Sequence, residues 1–178
     1  METISIFAAT NIFIKMENYI IRKIEKQDNQ QVAQLIRFVF DELDIPKVGT
    51  AYEDPYLDLM FEEYSNPRSV YYIVENNGKI VGCAGIAQLE NEVDTICELQ
   101  KMYFLPETRG MGIGAEMMEV CLASAKNFGF AKCYLETMPF MLDAQKLYKK
   151  VGFENIAAPM GSTGHVSCPV WMLKDLTI

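Results

Sequence analysis

No stretch of this chain is apolar for long enough to cross a bilayer. The run Ile4 to Ile14 is broken by Ser5, Thr10 and Asn11, and it has neither the length of a membrane span nor the basic flank of a signal peptide. Neither export nor a membrane partner is expected. Basic residues are in short supply: 16 Lys and Arg stand against 24 Asp and Glu, for a net charge of −8. Nucleic-acid binding rests on Lys and Arg neutralising phosphates, so a nucleic-acid partner is not expected either. The acidity suits a cationic partner, and it suits plain solubility equally. Histidine occurs once, as His165. The five cysteines, Cys83, Cys97, Cys121, Cys133 and Cys168, are odd in number and never spaced C-x-x-C. That indicates no zinc site and no disulfide framework, so no metal is expected. Four of them lie in apolar runs where cysteine acts as a small buried hydrophobe, which points to a reducing cytoplasm. Repeats and low-complexity tracts are absent.

What is present is ordinary globular material, 178 residues of which 50% are apolar. That length suits one domain burying about two thirds of its unfolded surface. Tyr19 to Ile24 reads as a first strand. Asp28 is the expected N-cap of a helix with Val32, Leu35, Ile36 and Val39 on its apolar side, stopped by Pro46. Asp54-Pro55 predicts a second helix start, with Tyr56, Leu57, Met60, Phe61 and Tyr64 facing inward. Ser69 to Glu75 and Ile80 to Leu89 meet at Asn76-Asn77-Gly78-Lys79, a hairpin turn signature.

The next strand, Val93 to Phe104, changes phase. Val93, Thr95, Cys97 and Leu99 alternate on one face, whereas Met102 and Phe104 continue the series on the other. One residue is inserted near Gln100-Lys101, which predicts a β-bulge, and bulges splay strands beside functional sites. Ala131 to Thr137 is expected to run parallel to this strand, because a helix connects the two. A short helix carrying Tyr148 is expected to end at Gly152, Phe153 to Ile156 to form another strand, and Ala157 to Gly164 a loop. Val166 to Leu173 closes the sheet, with Pro169 suggesting an edge or a bulge.

Between the bulged strand and the helix that begins at Ile113 lies Arg109-Gly110-Met111-Gly112-Ile113-Gly114-Ala115. Glycines at a strand-to-helix turn let a ligand approach the backbone, and the first amides of a helix lie unpaired at its positive end. Pyrophosphate suits such a place. A dinucleotide fingerprint would need G-x-G-x-x-G in a first βαβ unit, and an NTPase loop would end in Gly-Lys-Ser/Thr. Neither occurs, and a tight turn without a ligand is the remaining alternative.

R-x-x-G-x-G entering an amphipathic helix resembles the acyl-CoA-binding motif of the GNAT N-acetyltransferase superfamily. Downstream, Ala144-Gln145-Lys146-Leu147-Tyr148-Lys149-Lys150-Val151-Gly152-Phe153 resembles that family's later motif, A-x-x-L-Y-x-K-x-G-F, in the expected order and spacing. The resemblance covers about residues 19 to 175. It implies an α/β (α+β) fold, with a mixed, mostly antiparallel central sheet of about six to seven strands flanked by helices and splayed to hold acetyl-CoA. The domain would run from 16 to 178, with residues 1–15 as an extension and Met16 as an alternative start. It places Met102, Tyr103 and Phe104 against the pantetheine arm, and Arg109, Gly110, Met111, Gly112, Ile113, Gly114 and Ala115 around the pyrophosphate. Where the family commonly has Asn, this chain has Met141, which removes a side-chain hydrogen bond to the cofactor arm.

The resemblance implies acetyl transfer from acetyl-CoA to an amine, either a small molecule or a protein amino group. A non-catalytic acyl-CoA sensor is the alternative. Alkylamines have a pKa near about 10, so a base must take the acceptor's proton at neutral pH. Glu98, just before the bulge on a strand where the family often has an acidic residue, is the candidate, against a plain solvent-facing glutamate. Tyr148 is the candidate acid for the departing thiolate, against a core residue on the face it shares with Ala144, Leu147 and Val151. His165 follows Gly161-Ser162-Thr163-Gly164, expected to be a flexible loop near the acceptor, and is a candidate for substrate contact or proton shuttling. Asp41, Glu42, Asp44, Glu53, Asp54, Asp58, Glu62 and Glu63 crowd the first two helices, either as a solvated face or as a field selecting a cationic acceptor. Dimerisation through the last strand stays open.

Overall fold

In the computed structural model, residues 14–16 and 18–177 are described. The expected extension therefore lies mostly outside the described residues. Its end enters β1 (Ile14–Met16), which pairs antiparallel with β2 (Tyr19–Lys23). Arg22 on β2 reaches back to Asp28, whose two carboxylate oxygens accept from the guanidinium at 2.7 and 2.9 Å. Asp28 is thus committed to Arg22 and to the Glu25 amide, and it does not cap α1 (Asn29–Glu42) as expected. The helix buries Val32, Ala33, Leu35, Ile36, Val39 and Phe40 against the sheet, the stripe its spacing predicts.

Asp54-Pro55 does not start a helix. Residues 54–59 form turns, and α2 is only Met60–Glu63. Its first-turn amide at Phe61 is capped from α1, by the Asn29 side-chain oxygen at 2.8 Å. The Asp54 carboxylate is drawn elsewhere, to Lys101 and His165.

β3 (Val70–Asn76) and β4 (Lys79–Gln88) form the expected hairpin, with both Asn77 and Gly78 at positive φ, as a two-residue turn of this kind requires. β5 (Ile96–Phe104) pairs with β4. It starts later than expected, because Val93 to Thr95 turn instead, leaving Val93 exposed. The bulge falls where the phase slip put it. Gly85 pairs with Gln100 and Cys83 with Tyr103, so β5 spends one more residue than β4 over the same span, and Lys101 has φ +49°. The Lys101 carbonyl accepts from the Tyr71 hydroxyl at 2.8 Å, which holds the bulge on the sheet.

α3 (Ile113–Asn127) crosses back over the sheet and delivers β6 (Lys132–Thr137) parallel to β5. Pairing between these two strands runs only from Ile96 to Glu98 on β5. Beyond Glu98 they part. α4 (Leu142–Lys150) follows, then β7 (Glu154–Asn155) and β8 (Val170–Asp175). Among the described residues the sheet has eight strands in the order β1-β2-β3-β4-β5-β6-β8-β7, all antiparallel apart from β5 with β6. The strand beyond the expected six or seven is β1. β8 lies inside the sheet between β6 and β7, so Pro169 precedes an interior strand and does not mark an edge.

The strand expected from Val166 begins only at Val170, because Cys168 turns back to the His165 carbonyl, so residues 157–168 form one strap. It includes Gly161 to Gly164, expected to be flexible, and is fastened at several points. Ser162 bonds to the Glu90 carbonyl, Met160 to the Tyr134 hydroxyl, Thr163 to Glu136, and Ser167 to the Val48 carbonyl. This strap thereby joins the turn before β5, strand β6 and the loop after α1. Among the described residues, no helix is long and apolar enough to span a membrane.

Candidate active site

A cavity of about 610 Å³ opens where β5 and β6 part, between the start of α3 and α4. β5 supplies Met102, Tyr103 and Phe104 to its wall. The cradle supplies Arg109, Gly110, Gly112, Gly114 and Ala115, and α4 supplies Ala144, Leu147 and Tyr148. Met111 and Ile113 turn their side chains away, Met111 to the surface and Ile113 into the core. Only their backbone can serve the cavity.

Gly110 and Gly112 both have positive φ, and a Cβ built on either would meet nothing within 4 Å. The amides of residues 110–114 donate to no described residue, and the first backbone bonds of the helix start with Ala115 and Glu116 reaching Gly112. Open space above glycines, a run of free N–H groups and the positive end of a 15-residue helix make a fitting seat for a diphosphate. The Arg109 side chain is differently employed. It makes a forked pair with Glu42 at 3.0 and 2.5 Å and donates to the Phe104 carbonyl, tying α1 to the end of β5.

Tyr148 is 7% exposed, with its ring against Phe153. Burial pushes its hydroxyl up to about 12, so it stays protonated at neutral pH. The hydroxyl has no hydrogen-bond partner among the described residues. No sealed side-chain polar atom there is left unpaired, so the hydroxyl opens onto accessible space. A core tyrosine would be expected to bond its hydroxyl to protein. Met141, from the position where the resemblance expects Asn, also lines the cavity.

Glu98 does not line this cavity. It is the last residue of β5 paired to β6, opposite Tyr134, and it is only 4% exposed, so it is not a plain solvent-facing glutamate. Burial pushes its carboxyl up to about 7, against the Gln100 hydrogen bond and the charges of His165 and Lys101, with Glu136 adding to the rise. Gln100 donates to one carboxylate oxygen at 2.7 Å, and the other oxygen has no partner among the described residues. The same argument from the lack of sealed, unpaired atoms opens that oxygen to accessible space.

His165 stands in the same polar group, its Nε2 3.1 Å from Asp54 Oδ1. Burial lowers its pKa, but the bond to Asp54 and the charges of Asp54 and Glu98 outweigh this and leave it raised. The other Asp54 oxygen is 2.6 Å from Lys101 Nζ. Tyr103 belongs to both neighbourhoods: it lines the cavity, and besides burial the charges of Tyr148 and Asp54 help to raise its pKa.

The crowd of acidic residues around the first helices is largely neutralised. Asp41 pairs with Lys47, Glu42 with Arg109, Asp54 with Lys101, Asp58 with Arg37 and Glu62 with Lys26. Glu53 accepts from the Gly49 amide. Such a surface is a braced one, not a free negative field. Cys83, Cys97, Cys121 and Cys133 are buried and Cys168 is partly so, all as free thiols. Among the described residues, no cluster of three or more His, Cys, Asp or Glu is placed to hold a metal.

Comparison with known proteins agrees with this geometry. The profile of the Acetyltransferase (GNAT) family matches residues 33–153. The uncharacterized N-acetyltransferase YjgM of Escherichia coli K12 is 42% identical over 164 residues, covering 92% of this chain and 98% of its own. A GNAT-family acetyltransferase of Staphylococcus aureus Mu50 has the same fold, with a TM-score of 0.78 at 21% identity over 89% of this chain and 99% of that one. An aminoglycoside 6'-N-acetyltransferase solved with coenzyme A shares it too, with a TM-score of 0.64 at 17% identity over 88% and 97%. The chain belongs to the GNAT acetyltransferase family and is an acyltransferase.

Proposed function

We propose that this protein transfers an acetyl group from acetyl-CoA directly to a primary amine, with Glu98 as base and Tyr148 as acid. The observation that carries this reading is the pair of accessible, oppositely suited groups on either side of the strand splay. One is a buried carboxylate pushed up to about 7, and the other is a buried phenol kept protonated and facing the cavity. Pairs of groups whose surroundings set them to opposite tasks are how acid and base roles divide.

Acetyl-CoA supplies the activated acetyl group as a thioester. The free amides of residues 110–114 and the open faces of Gly110 and Gly112 would hold its diphosphate, and Met102 to Phe104 would flank its arm. Glu98 is ionised in part at neutral pH and takes the proton of the incoming ammonium, directly or through water, leaving a neutral nucleophile. Tyr148 gives its proton to the leaving sulfur. The acceptor is a small-molecule amine or a protein amino group, and the protein works as a soluble cytoplasmic enzyme. Family membership favours this over a non-catalytic acyl-CoA sensor.

Thiol release from acetyl-CoA in the presence of a panel of polyamines, amino sugars, amino acids and peptide N-termini tests the proposal. Amine-dependent release is the expected result. Saturable acetyl-CoA binding with no turnover on any amine class would return the sensor reading.

A further inference from the structure

We infer that Gln100 is a positioning residue for Glu98, and that Tyr64 sets Gln100 through a hydrogen-bonded relay reaching across the sheet. The inference rests on the reading of Glu98 as the base. The Tyr64 hydroxyl donates to Gln100 Oε1 at 2.6 Å, and Gln100 Nε2 donates to Glu98 Oε2 at 2.7 Å. An amide has one acceptor end and one donor end. Because Tyr64 occupies the acceptor end, the donor end is turned on the carboxylate.

The relay is built into the fold. Tyr64 follows α2 and Gln100 begins the bulge, 36 residues apart in sequence. The tyrosine ring reaches Gln100 over Gly85, the residue that pairs with Gln100 on β4. A Cβ on Gly85 would come within 2.8 Å of the Tyr64 ring and 2.3 Å of Tyr71. The missing side chain on β4 is the gap through which the hydroxyl passes. Tyr71 then packs its ring 4.7 Å from that of Tyr64 and bonds the Lys101 carbonyl, so ring and bulge are held together.

Several charged and titratable groups face Glu98. Lys101 lies on its own strand, Tyr64 comes from the end of α2, Cys133, Tyr134 and Glu136 from β6, and His165 and Cys168 from the strap. Among the described residues, only Gln100 donates a hydrogen bond to the carboxylate. A donor to the ionised form favours it. Gln100 thus opposes burial, keeping part of Glu98 ionised at neutral pH and its free oxygen aimed away from Gln100.

The test is a pH titration of the ligand-free full-length protein carrying 13C-labelled glutamate, with the Glu98 carboxyl signal assigned by its loss in Glu98→Gln. Wild type should titrate near 7. Gln100→Met should move that midpoint upward by about one unit, because the donor to the carboxylate is gone. Tyr64→Phe keeps the ring and lies outside hydrogen-bond reach of Glu98, so an upward shift of smaller size there reports transmission through Gln100. An unmoved or lowered midpoint in Gln100→Met overturns the positioning role. An unmoved midpoint in Tyr64→Phe overturns the relay, and that variant decides the matter if Gln100→Met does not fold. Turnover by Glu98→Gln with the same amine panel separates the two levels. Undiminished turnover sinks the base reading whatever the titrations show, and lost turnover with unmoved midpoints sinks the positioning role and the relay while the base reading stands.

Discussion

Lys101 and Asp54 meet at 2.6 Å with side chains only 9% and 23% exposed, so the bulge of β5 is pinned to the loop ahead of α2 by a largely buried ion pair. Lys101 can point there because the bulge turns its backbone to positive φ. Asp54 carries a second cation-capable partner in His165, and the three residues clasp the bulge, the loop after α1 and the strap before β8. The polar group around Glu98 is therefore part of what holds the bulge, the loop after α1 and the strap together.

That clasp makes stability depend on pH in a stated direction. The pKa of His165 is raised above 6.5 in the folded protein, so its contribution is complete below 6.5 and is lost as pH rises through the raised value. Asp54 is lowered below 3.8, so its contribution is present above 3.8 and is lost as pH falls through the lowered value. Glu98, raised from 4.5 to about 7, also favours the fold less as pH climbs across that interval. Calorimetric Tm should decline from mildly acidic to alkaline pH. His165→Gln should flatten the part above 6.5, and Glu98→Gln the part between 4.5 and 7. Slopes unchanged in both variants would remove these groups from the linkage.

Glu98→Gln should also lower turnover by about 10²- to 10⁴-fold near neutral pH, the usual worth of a positioned base. Activity should recover in part as pH rises and free amine accumulates. Acetyl-CoA affinity should hardly change, since Glu98 lies outside the cavity lining. An undiminished rate at neutral pH would assign proton removal elsewhere, with His165 next in line.

The glycine turn before α3 and the bulge were legible because both are local signals. Glycines before an amphipathic helix and a phase slip between Leu99 and Met102 need no knowledge of distant residues, and both stand where expected. Asp54-Pro55 misled for the complementary reason. Its local preference for a helix start is worth about 1 kcal/mol, whereas a counterion for the nearly buried Lys101 is worth several times that. Asp28 went the same way, to Arg22. Gly161 to Gly164 looked flexible from its glycines and small polar residues, but the strap that contains it is anchored on Glu90, Tyr134, Glu136 and Val48. The Tyr64-Gln100-Glu98 chain depends on a gap at Gly85 that pairing alone reveals.

Gly112→Val tests the cradle. The position has φ +83°, so any side chain there costs about 1–2 kcal/mol in backbone strain, more for a branched one. Beyond its chain neighbours a Cβ there meets nothing within 4 Å, so the side chain starts out into open space. The variant should fold with a lowered Tm, and its affinity for CoA by calorimetry should fall severely, because the side chain fills the space through which the diphosphate reaches the amides. Undiminished affinity in the folded variant would sink the cradle assignment.

Tyr148→Phe separates packing from chemistry at the other side of the cavity. The substitution keeps the ring and its contact with Phe153, and the hydroxyl it removes has no partner among the described residues. Stability should therefore shift by less than about 1 kcal/mol, the scale of one net hydrogen bond. If the hydroxyl protonates the departing thiolate, the variant still binds acetyl-CoA while kcat falls at least about tenfold, a barrier increase of about 1.4 kcal/mol. The loss should shrink with an acyl donor whose thiol leaves more readily, because protonating the sulfur then matters less. With a hydroxyl held near 12, wild-type activity should show no fall from Tyr148 ionisation below about pH 10. A folded Tyr148→Phe enzyme with full kcat, measured where chemistry limits the rate, would reduce Tyr148 to a packing residue.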